Sequence, residues 1–240
     1  MITIRRSTER GHAQHGWLDS WHTFSFADYY DPAHMGFRSL RVINDDRVAP
    51  ARGFGSHAHR DMEIISYVLD GGLSHRDSMG ESHILGPNTI QAMSAGTGIV
   101  HSEFNASETA PVHFLQIWIE PAMEDVKPSY QQIAFDPAEK QGRFRLIAGP
   151  HDHDANPADG VGAVIHQDAW VYAAELRAGE TLSRPLNNHR FAWVQMARGA
   201  MKLNGLDLAE GDGASISAET ALSFAPSDAA GCEFLLFDLA

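Results

Sequence analysis

Histidines and glutamates occur in this chain at spacings that could build a metal site. In GSHAHRDME (residues 55–63), His57 and His59 stand two residues apart and Glu63 follows four residues later. Successive side chains of a β-strand point to opposite faces, so residues two apart share one face. If this segment is a strand, His57 and His59 project into the same space. Histidine is the commonest metal-ligating side chain, so this pair could supply two ligands of a metal site.

A second pair of the same kind lies in GTGIVHSEFN (residues 96–105), where His101 and Glu103 are two residues apart. A lone H-x-H pair more often belongs to surface or core histidines, and the second pair is what favours a metal site. Two strands with two ligands each could supply three nitrogens and one oxygen, with room for water or substrate, as catalytic metals require. Glu63 and Glu103 both have the parity needed to face the metal, so spacing alone leaves the carboxylate open.

The segment HDHD (residues 151–154) repeats the histidine spacing in a different context. His151 and His153 lie among Pro, Gly and Asp residues and have no downstream histidine–glutamate partner. Two ligands on a loop bind metal weakly because the loop must be ordered at an entropic cost. We therefore interpret this segment as a surface loop. The single cysteine, Cys232, excludes an internal disulfide and a cysteine metal cluster, and we expect it to be buried in a strand.

The elements that must position these residues are predicted to be β-strands. Short apolar runs are separated by clusters of Gly, Asp, Asn and Pro, the pattern of strands and turns. The clearest runs are MEIISYVLD (62–70), VHFLQIWIE (112–120), FAWVQMARG (191–199) and CEFLLFDL (232–239). DGG at 70–72 and LNG at 203–205 are typical of hairpin turns. One modest helix candidate lies around residues 121–132.

A weak internal duplication predicts two similar all-β barrels or sandwiches in tandem. AMSAGTGIVHSEF (92–104) aligns with SISAETALSFAPS (215–227), which places Phe224 opposite His101 and Pro226 opposite Glu103. The second half therefore lacks the ligands, and we interpret it as structural support or part of a binding surface. We expect an N-terminal metal-binding domain at residues 1–120, a linker at 121–135 and a degenerate C-terminal domain at 136–240.

Charge and hydropathy limit the partners of the chain. Eighteen basic and 31 acidic residues give a net charge of −13, which repels phosphate backbones and disfavours nucleic-acid binding. No apolar run approaches a membrane span, and the N-terminal residues show no apolar stretch typical of a signal peptide. We therefore expect a cytoplasmic protein that does not bind membranes.

Three stretches carry a resemblance to the pirin family, which consists of bicupins. They are HGWLDSWHTFSFADYYDPAHMGFRSLRVINDD (15–46), HAHRDMEIISYVLDG (57–71) and SAGTGIVHSE (94–103). The first histidine stretch resembles the first cupin motif, and GTGIVHSEFN is similar to the second, with Gly96 in place of the usual proline. The resemblance is dense through residue 120 and looser beyond. It implies a fold of two tandem cupin barrels.

The resemblance also implies a ligand set of His57, His59, His101 and Glu103. Glu63 would then orient a ligand histidine or a bound water. Aromatic residues of the N-terminal segment are expected to pack over the first barrel, with some at the site entrance. They are Trp17, Trp21, Phe24, Phe26, Tyr29 and Tyr30.

The activity implied by the resemblance is that of quercetin 2,3-dioxygenase, in which dioxygen opens the central ring of a flavonol and carbon monoxide leaves. Glu103 would act as general base toward the flavonol 3-hydroxyl. Such a site suits one Fe(II) ion, and Mn, Ni, Cu, Co or Zn are also compatible. The alternative is a non-catalytic, metal-containing pirin that serves as a redox-sensing regulator or binding partner of other proteins. A cavity deep enough for a three-ring flavonol, and turnover, would distinguish the two. We expect a monomer.

Overall fold

The computed structural model describes residues 1–150 and 159–240, and the HDHD histidines His151 and His153 lie outside them. The described residues form 21 strands and two short 3-10 helices, Ser7–Glu9 and Pro137–Glu139. The strands are β1 (Ile2–Arg5), β2 (Gly11–Gln14), β3 (Leu18–His22), β4 (Leu40–Val48), β5 (Gly53–His59), β6 (Glu63–Asp70), β7 (Leu73–Asp77), β8 (Ser82–Leu85), β9 (Thr89–Ser94), β10 (Ile99–Asn105), β11 (Val112–Ile119), β12 (Ser129–Ala134), β13 (Arg145–Pro150), β14 (Ala163–Ile165), β15 (Ala169–Leu176), β16 (Leu182–Pro185), β17 (Phe191–Leu203), β18 (Leu206–Ala209), β19 (Gly213–Ile216), β20 (Ala221–Pro226) and β21 (Cys232–Leu239). The all-β prediction is confirmed. Among the described residues, no helix has the length and apolar character needed to span a membrane.

The chain divides into two compact units. The first, called here the N-terminal barrel, comprises Gly11–Phe135 together with Ala163–Gln167. It contains a seven-stranded sheet in the order β12-β9-β6-β11-β4-β3-β2 and a four-stranded sheet in the order β5-β10-β7-β8. Both histidine motifs therefore belong to the smaller sheet of this barrel.

The second unit, called here the C-terminal barrel, comprises Met1–Arg10, Asp136–Gly162 and Asp168–Ala240. Its main sheet contains the path β1-β19-β17-β21-β15-β13. Its core is built from alternating strand residues such as Leu146, Val194 and Phe234, all less than 2 % exposed. Cys232 is buried at the start of β21, as expected.

Burial that alternates from one residue to the next along β10 explains how this strand positions the site. Along β10, Ile99, His101, Glu103 and Asn105 are buried, while the residues between them are exposed or half-buried. Strands of the seven-stranded sheet such as β6 are instead buried over almost their whole length. The polar side chains that β10 turns inward thus enter a space enclosed by strands.

Of the two predicted hairpin turns, one is confirmed and the other is not. The LNG turn at 203–205 is confirmed, since β17 and β18 pair across it with Leu203 opposite Leu206 and positive φ at Asn204 and Gly205. The DGG turn does not join paired strands, because β6 and β7 lie in different sheets.

The helix candidate at 121–132 is wrong. Residues 129–134 form β12, which runs antiparallel to β9 in the N-terminal barrel. Pro128 would remove a backbone hydrogen bond from the interior of the candidate helix, and pairing with β9 supplies the backbone partners instead.

The sequence-based division into 1–120, 121–135 and 136–240 also differs from the compact units. β1 pairs with β19 of the C-terminal barrel, and β12 and Ala163–Gln167 belong to the N-terminal barrel. Pairing between strands distant in sequence therefore sets these boundaries.

Candidate metal centre

Three histidines converge where β5 and β10 run antiparallel, with His101 directly opposite His57. The Nε2 atom of His101 lies 3.0 Å from Nε2 of His57 and 2.9 Å from Nε2 of His59. His101 is 1 % exposed, while His57 and His59 are half-buried. The rings of His57 and His59 thus lie beside that of His101 in the second motif, the arrangement that the spacing predicts.

The hydrogen bond of His57 and the protonation state of His59 and His101 suit a metal. His57 donates its Nδ1–H to the carbonyl oxygen of Gly55, 2.7 Å away, which leaves the Nε2 lone pair facing the other rings. Burial, with repulsion from His101 and His57, lowers the pKa of His59 to about 4. Burial, with repulsion from His57 and His75, lowers the pKa of His101 to about 3. Both rings are therefore neutral at pH 7, as metal ligation requires.

Glu103 follows on β10 after an irregularity in the β5–β10 register between residues 101 and 103. Its carboxylate is 1 % exposed and is held by three neutral donors of the seven-stranded sheet. The amide of Gln116 donates to Oε2 at 2.7 Å, while Ser66 and Gln91 approach Oε1 at 3.2 and 3.3 Å. These contacts fix the orientation of Glu103 without neutralising its charge.

The structure separates Glu103 slightly from the histidine trio. Among the described residues, His57, His59 and His101 form one group whose ligand atoms lie within 4.8 Å of one another. Glu103 joins a second such group with His75 and His101. His101 therefore belongs to both groups and connects the trio with the carboxylate.

Glu63 does not belong to either of these two groups of potential ligands. It is 1 % exposed, accepts a hydrogen bond from Ser94 at 2.6 Å and lies 3.1 Å from Nδ1 of His166. Burial raises the pKa of the Glu63 carboxyl, and the contacts with Ser94 and His166 oppose that rise. The expected role of Glu63 in orienting a ligand histidine of the centre is not observed, because its partners come from β9 and from the segment 163–167.

His75 is a residue of the site that the sequence reasoning did not single out. It is fully buried on β7, opposite Glu103 in the register, and its Nε2 lies 3.0 Å from the buried Asp77. Its ring centroid lies 5.3 Å from that of His101. The signal was present as a further same-face pair, His75 and Asp77, but nothing in the sequence indicates that β7 lies beside β10.

A cavity of about 650 Å³ opens onto His57, His59 and Glu103. Its walls combine aromatic side chains with a few polar ones. The aromatic residues are Trp17, Phe26, Tyr29, Phe54 and Trp118. Ligand pockets typically span about 300–1,000 Å³ and are mostly apolar, so this cavity suits a planar aromatic molecule. Trp17, Phe26 and Tyr29 confirm that part of the N-terminal aromatic segment borders the site.

At the position that the sequence alignment sets opposite His101, the C-terminal barrel has an apolar side chain. Phe224 on β20 is 1 % exposed and stacks on Phe234 with ring centroids 4.8 Å apart. Among the described residues of this barrel, no group of three potential metal ligands occurs. The absence of ligands in this half stays a prediction, because His151 and His153 lie outside the described residues.

Comparison with known proteins places this architecture in a class. The Pirin family model matches residues 3–119, and a model described as the quercetinase C-terminal cupin domain matches residues 153–239. The "Quercetin 2,3-dioxygenase" of Escherichia coli K12 is 46 % identical over 240 residues, covering 100 % of this chain and 99 % of that protein. A "Pirin-like protein" of Caulobacter vibrioides is 39 % identical over 240 residues, covering 100 % of both chains.

Solved structures of bacterial proteins match this chain over its whole length. The crystal structure of YhhW from Escherichia coli has a TM-score of 0.92 and 44 % identity, covering 100 % of this chain and 98 % of that chain. The structure titled bacterial pirin YhhW in complex with nickel(II) has a TM-score of 0.90 and 44 % identity, covering 100 % and 99 %. Two β-barrels with a histidine cluster in one of them define a bicupin, as the sequence predicted. The chain belongs to the pirin family.

Proposed function

We propose that this protein is a metal-dependent dioxygenase that opens the central ring of flavonols such as quercetin with dioxygen and releases carbon monoxide. The observation that carries the proposal is the aromatic-lined cavity that reaches the histidine cluster and Glu103. The relatives named quercetin 2,3-dioxygenase support the same reaction class.

In this proposal His57, His59, His101 and Glu103 hold one divalent transition metal. The three imidazoles have their Nε2 atoms close together, and the register irregularity in β10 brings a carboxylate beside His101. Imidazole and carboxylate ligands suit Fe(II), Mn, Ni, Cu, Co and Zn, of which Fe(II) is our first choice. When bound, such a metal acts as a Lewis acid toward a substrate oxygen.

Glu103 is the proposed general base. Its carboxylate accepts hydrogen bonds from Ser66, Gln91 and Gln116, which hold it beside His101 and at the wall of the cavity. From this position it can take the proton of the flavonol 3-hydroxyl. Loss of that proton gives an electron-rich flavonolate, which dioxygen oxidises with cleavage of the central ring.

The cavity supports a flat aromatic molecule as the proposed substrate. Trp118 lies edge-on to His59 with ring centroids 5.0 Å apart, and Trp17 lies edge-on to Phe54 at 5.3 Å. Aromatic faces and edges of this kind bind planar rings and exclude water from them.

The experiment that tests the proposal is anaerobic metal removal followed by reconstitution with each candidate metal. Oxygen uptake and carbon monoxide release are then measured with quercetin. The matched substrate control is luteolin, which has the same ring system without the 3-hydroxyl. We expect turnover of quercetin, none of luteolin, and none by the metal-free protein. Full metal loading without oxygen uptake on any flavonol would contradict the proposal and favour the redox-sensing regulator.

A further inference from the structure

The polar wall of the cavity contains a carboxyl group that the proposed reaction does not use. Asp46 on β4 lines the cavity together with Glu103 and Gln116. Its side chain is 3 % exposed, and its Oδ1 atom has no hydrogen-bond partner in the structure. A buried polar atom without a partner costs free energy, so its retention calls for an explanation.

The neighbours of Asp46 are already paired among themselves. His22 and Asn44 face each other across β3 and β4, with Nδ1 and Oδ1 2.8 Å apart. Ser20, opposite Asp46, hydrogen-bonds the Asp46 carboxyl. These contacts form a polar strip along the seven-stranded sheet, and within it Asp46 is the member with an unused oxygen.

The charge state of Asp46 suits contact with a hydroxyl group. Burial raises the pKa of the Asp46 carboxyl to about 7; the hydrogen bond with Ser20 opposes that rise, and repulsion from Asp45, Glu103 and Asp19 adds to it. Near neutral pH the carboxyl can therefore accept a hydrogen bond when ionised or donate one when protonated.

We propose that Asp46 is a specificity residue that hydrogen-bonds a ring hydroxyl of the bound aromatic ligand, other than the hydroxyl at the metal. The protein would then select polyhydroxylated flavonols over flavonols without ring hydroxyls. This inference rests on the proposed flavonol substrate, but it concerns binding and not turnover. A site built to pair with a hydroxyl rejects the analogue without it, because the buried partner is then left unsatisfied.

The test measures dissociation constants of the metal-loaded full chain under anaerobic conditions, by ligand fluorescence. The ligand series is 3-hydroxyflavone, galangin, kaempferol and quercetin, which differ in the number of ring hydroxyls. Asp46→Leu removes the hydrogen-bonding group at similar size. We expect this variant to retain metal and to bind 3-hydroxyflavone like wild type. Its preference for quercetin over 3-hydroxyflavone should fall by at least about tenfold.

Two further variants sharpen the result. Asp46→Asn keeps the shape and replaces a charged hydrogen bond with a weaker neutral one. Its preference for quercetin over 3-hydroxyflavone should therefore lie between those of the wild type and of Asp46→Leu. It carries the test alone if Asp46→Leu does not fold. Asp207→Asn is the matched control, because Asp207 pairs with Lys202 on the surface and does not line the cavity; we expect wild-type preference.

The outcomes separate this inference from the proposed function. An unchanged preference in both Asp46 variants, or an equal loss for every ligand, overturns the role of Asp46. Binding that follows the predicted pattern without any oxygen uptake upholds Asp46 and refutes the dioxygenase. Failure of the wild-type protein to bind any of the four flavonols overturns both.

Discussion

At the residue scale, the environment of Glu103 shows how the structure holds a buried carboxylate in a fixed orientation. All of its partners, Ser66, Gln91 and Gln116, are neutral donors. A cation in their place would engage the carboxylate in an ion pair. Neutral donors orient the group without an ion pair, and in the proposed function the carboxylate then contacts the metal and the substrate proton.

The two glutamates should therefore respond differently to the same change. Glu103→Gln should lower quercetin turnover by at least about 100-fold, because general bases typically contribute about 10²–10⁴-fold. Glu63→Gln should leave substantial activity, since Glu63 contacts Ser94 and His166 and does not line the cavity. Oxygen-uptake rates of the two purified variants give the comparison. The reverse order would assign the chemistry to the carboxylate of the first motif.

At the scale of elements, the centre depends on the close approach of β5 and β10. Gly53 on β5 faces Phe104, and a Cβ atom at this position would lie 2.2 Å from the carbonyl oxygen of Glu103 and 2.4 Å from Cα of Phe104. Such contacts are too short to persist, so the two strands would have to move apart. The histidine pair of β5 and the His101–Glu103 pair of β10 would then separate.

We therefore expect Gly53→Ala to weaken metal binding by at least about tenfold, the lower end of the effect of disturbing groups that support metal ligands. Gly55→Ala is the matched control on the same strand, because a Cβ atom there meets no atom within 4 Å. Metal affinity can be measured by competition with a chromophoric chelator. Equal affinities of the two variants would show that strand spacing does not control the centre.

The elements also show how far sequence reasoning reaches. The side-chain alternation of β5 and β10 is local, so it predicted that His57 pairs with His59 and His101 with Glu103. Two same-parity glutamates could not be distinguished by spacing, and the resemblance to pirins was needed to prefer Glu103. His75 and His166 were missed because their placement depends on strand pairings and chain returns distant in sequence. Asp46 was missed because burial without a partner is a property of packing alone.

At the scale of the whole molecule, the groups of potential metal ligands among the described residues lie in the N-terminal barrel. We expect one tightly bound metal ion per chain, with loss of that ion in His57→Ala and in His101→Ala, since two imidazoles then remain. The double variant His151→Ala with His153→Ala should keep wild-type metal content and activity, although these residues lie outside the described part of the chain. Elemental analysis of folded protein, checked by circular dichroism, measures the stoichiometry.

The control for His57→Ala and His101→Ala is another histidine of the N-terminal barrel. His83 pairs with Glu81 at 2.7 Å and does not line the cavity, so His83→Ala should retain the ion. A proportional loss of metal from the His151 and His153 double variant would reveal a second site. Retention of full metal in His57→Ala or His101→Ala would instead refute the proposed ligand set.

The pairing of β1 with β19 has a consequence for biosynthesis. Ile2–Arg5 leaves the ribosome about 200 residues before Gly213–Ile216, its partner in the sheet. At about 5–20 residues per second, the early strand waits roughly 10–40 s while the intervening polypeptide is made. Residues 11–135 can collapse during this interval, whereas the other barrel must recapture a distant segment across a large loop, a slow and non-local step. Nascent chains stalled before residue 213 should therefore carry an unpaired strand that is available to chaperones and to aggregation.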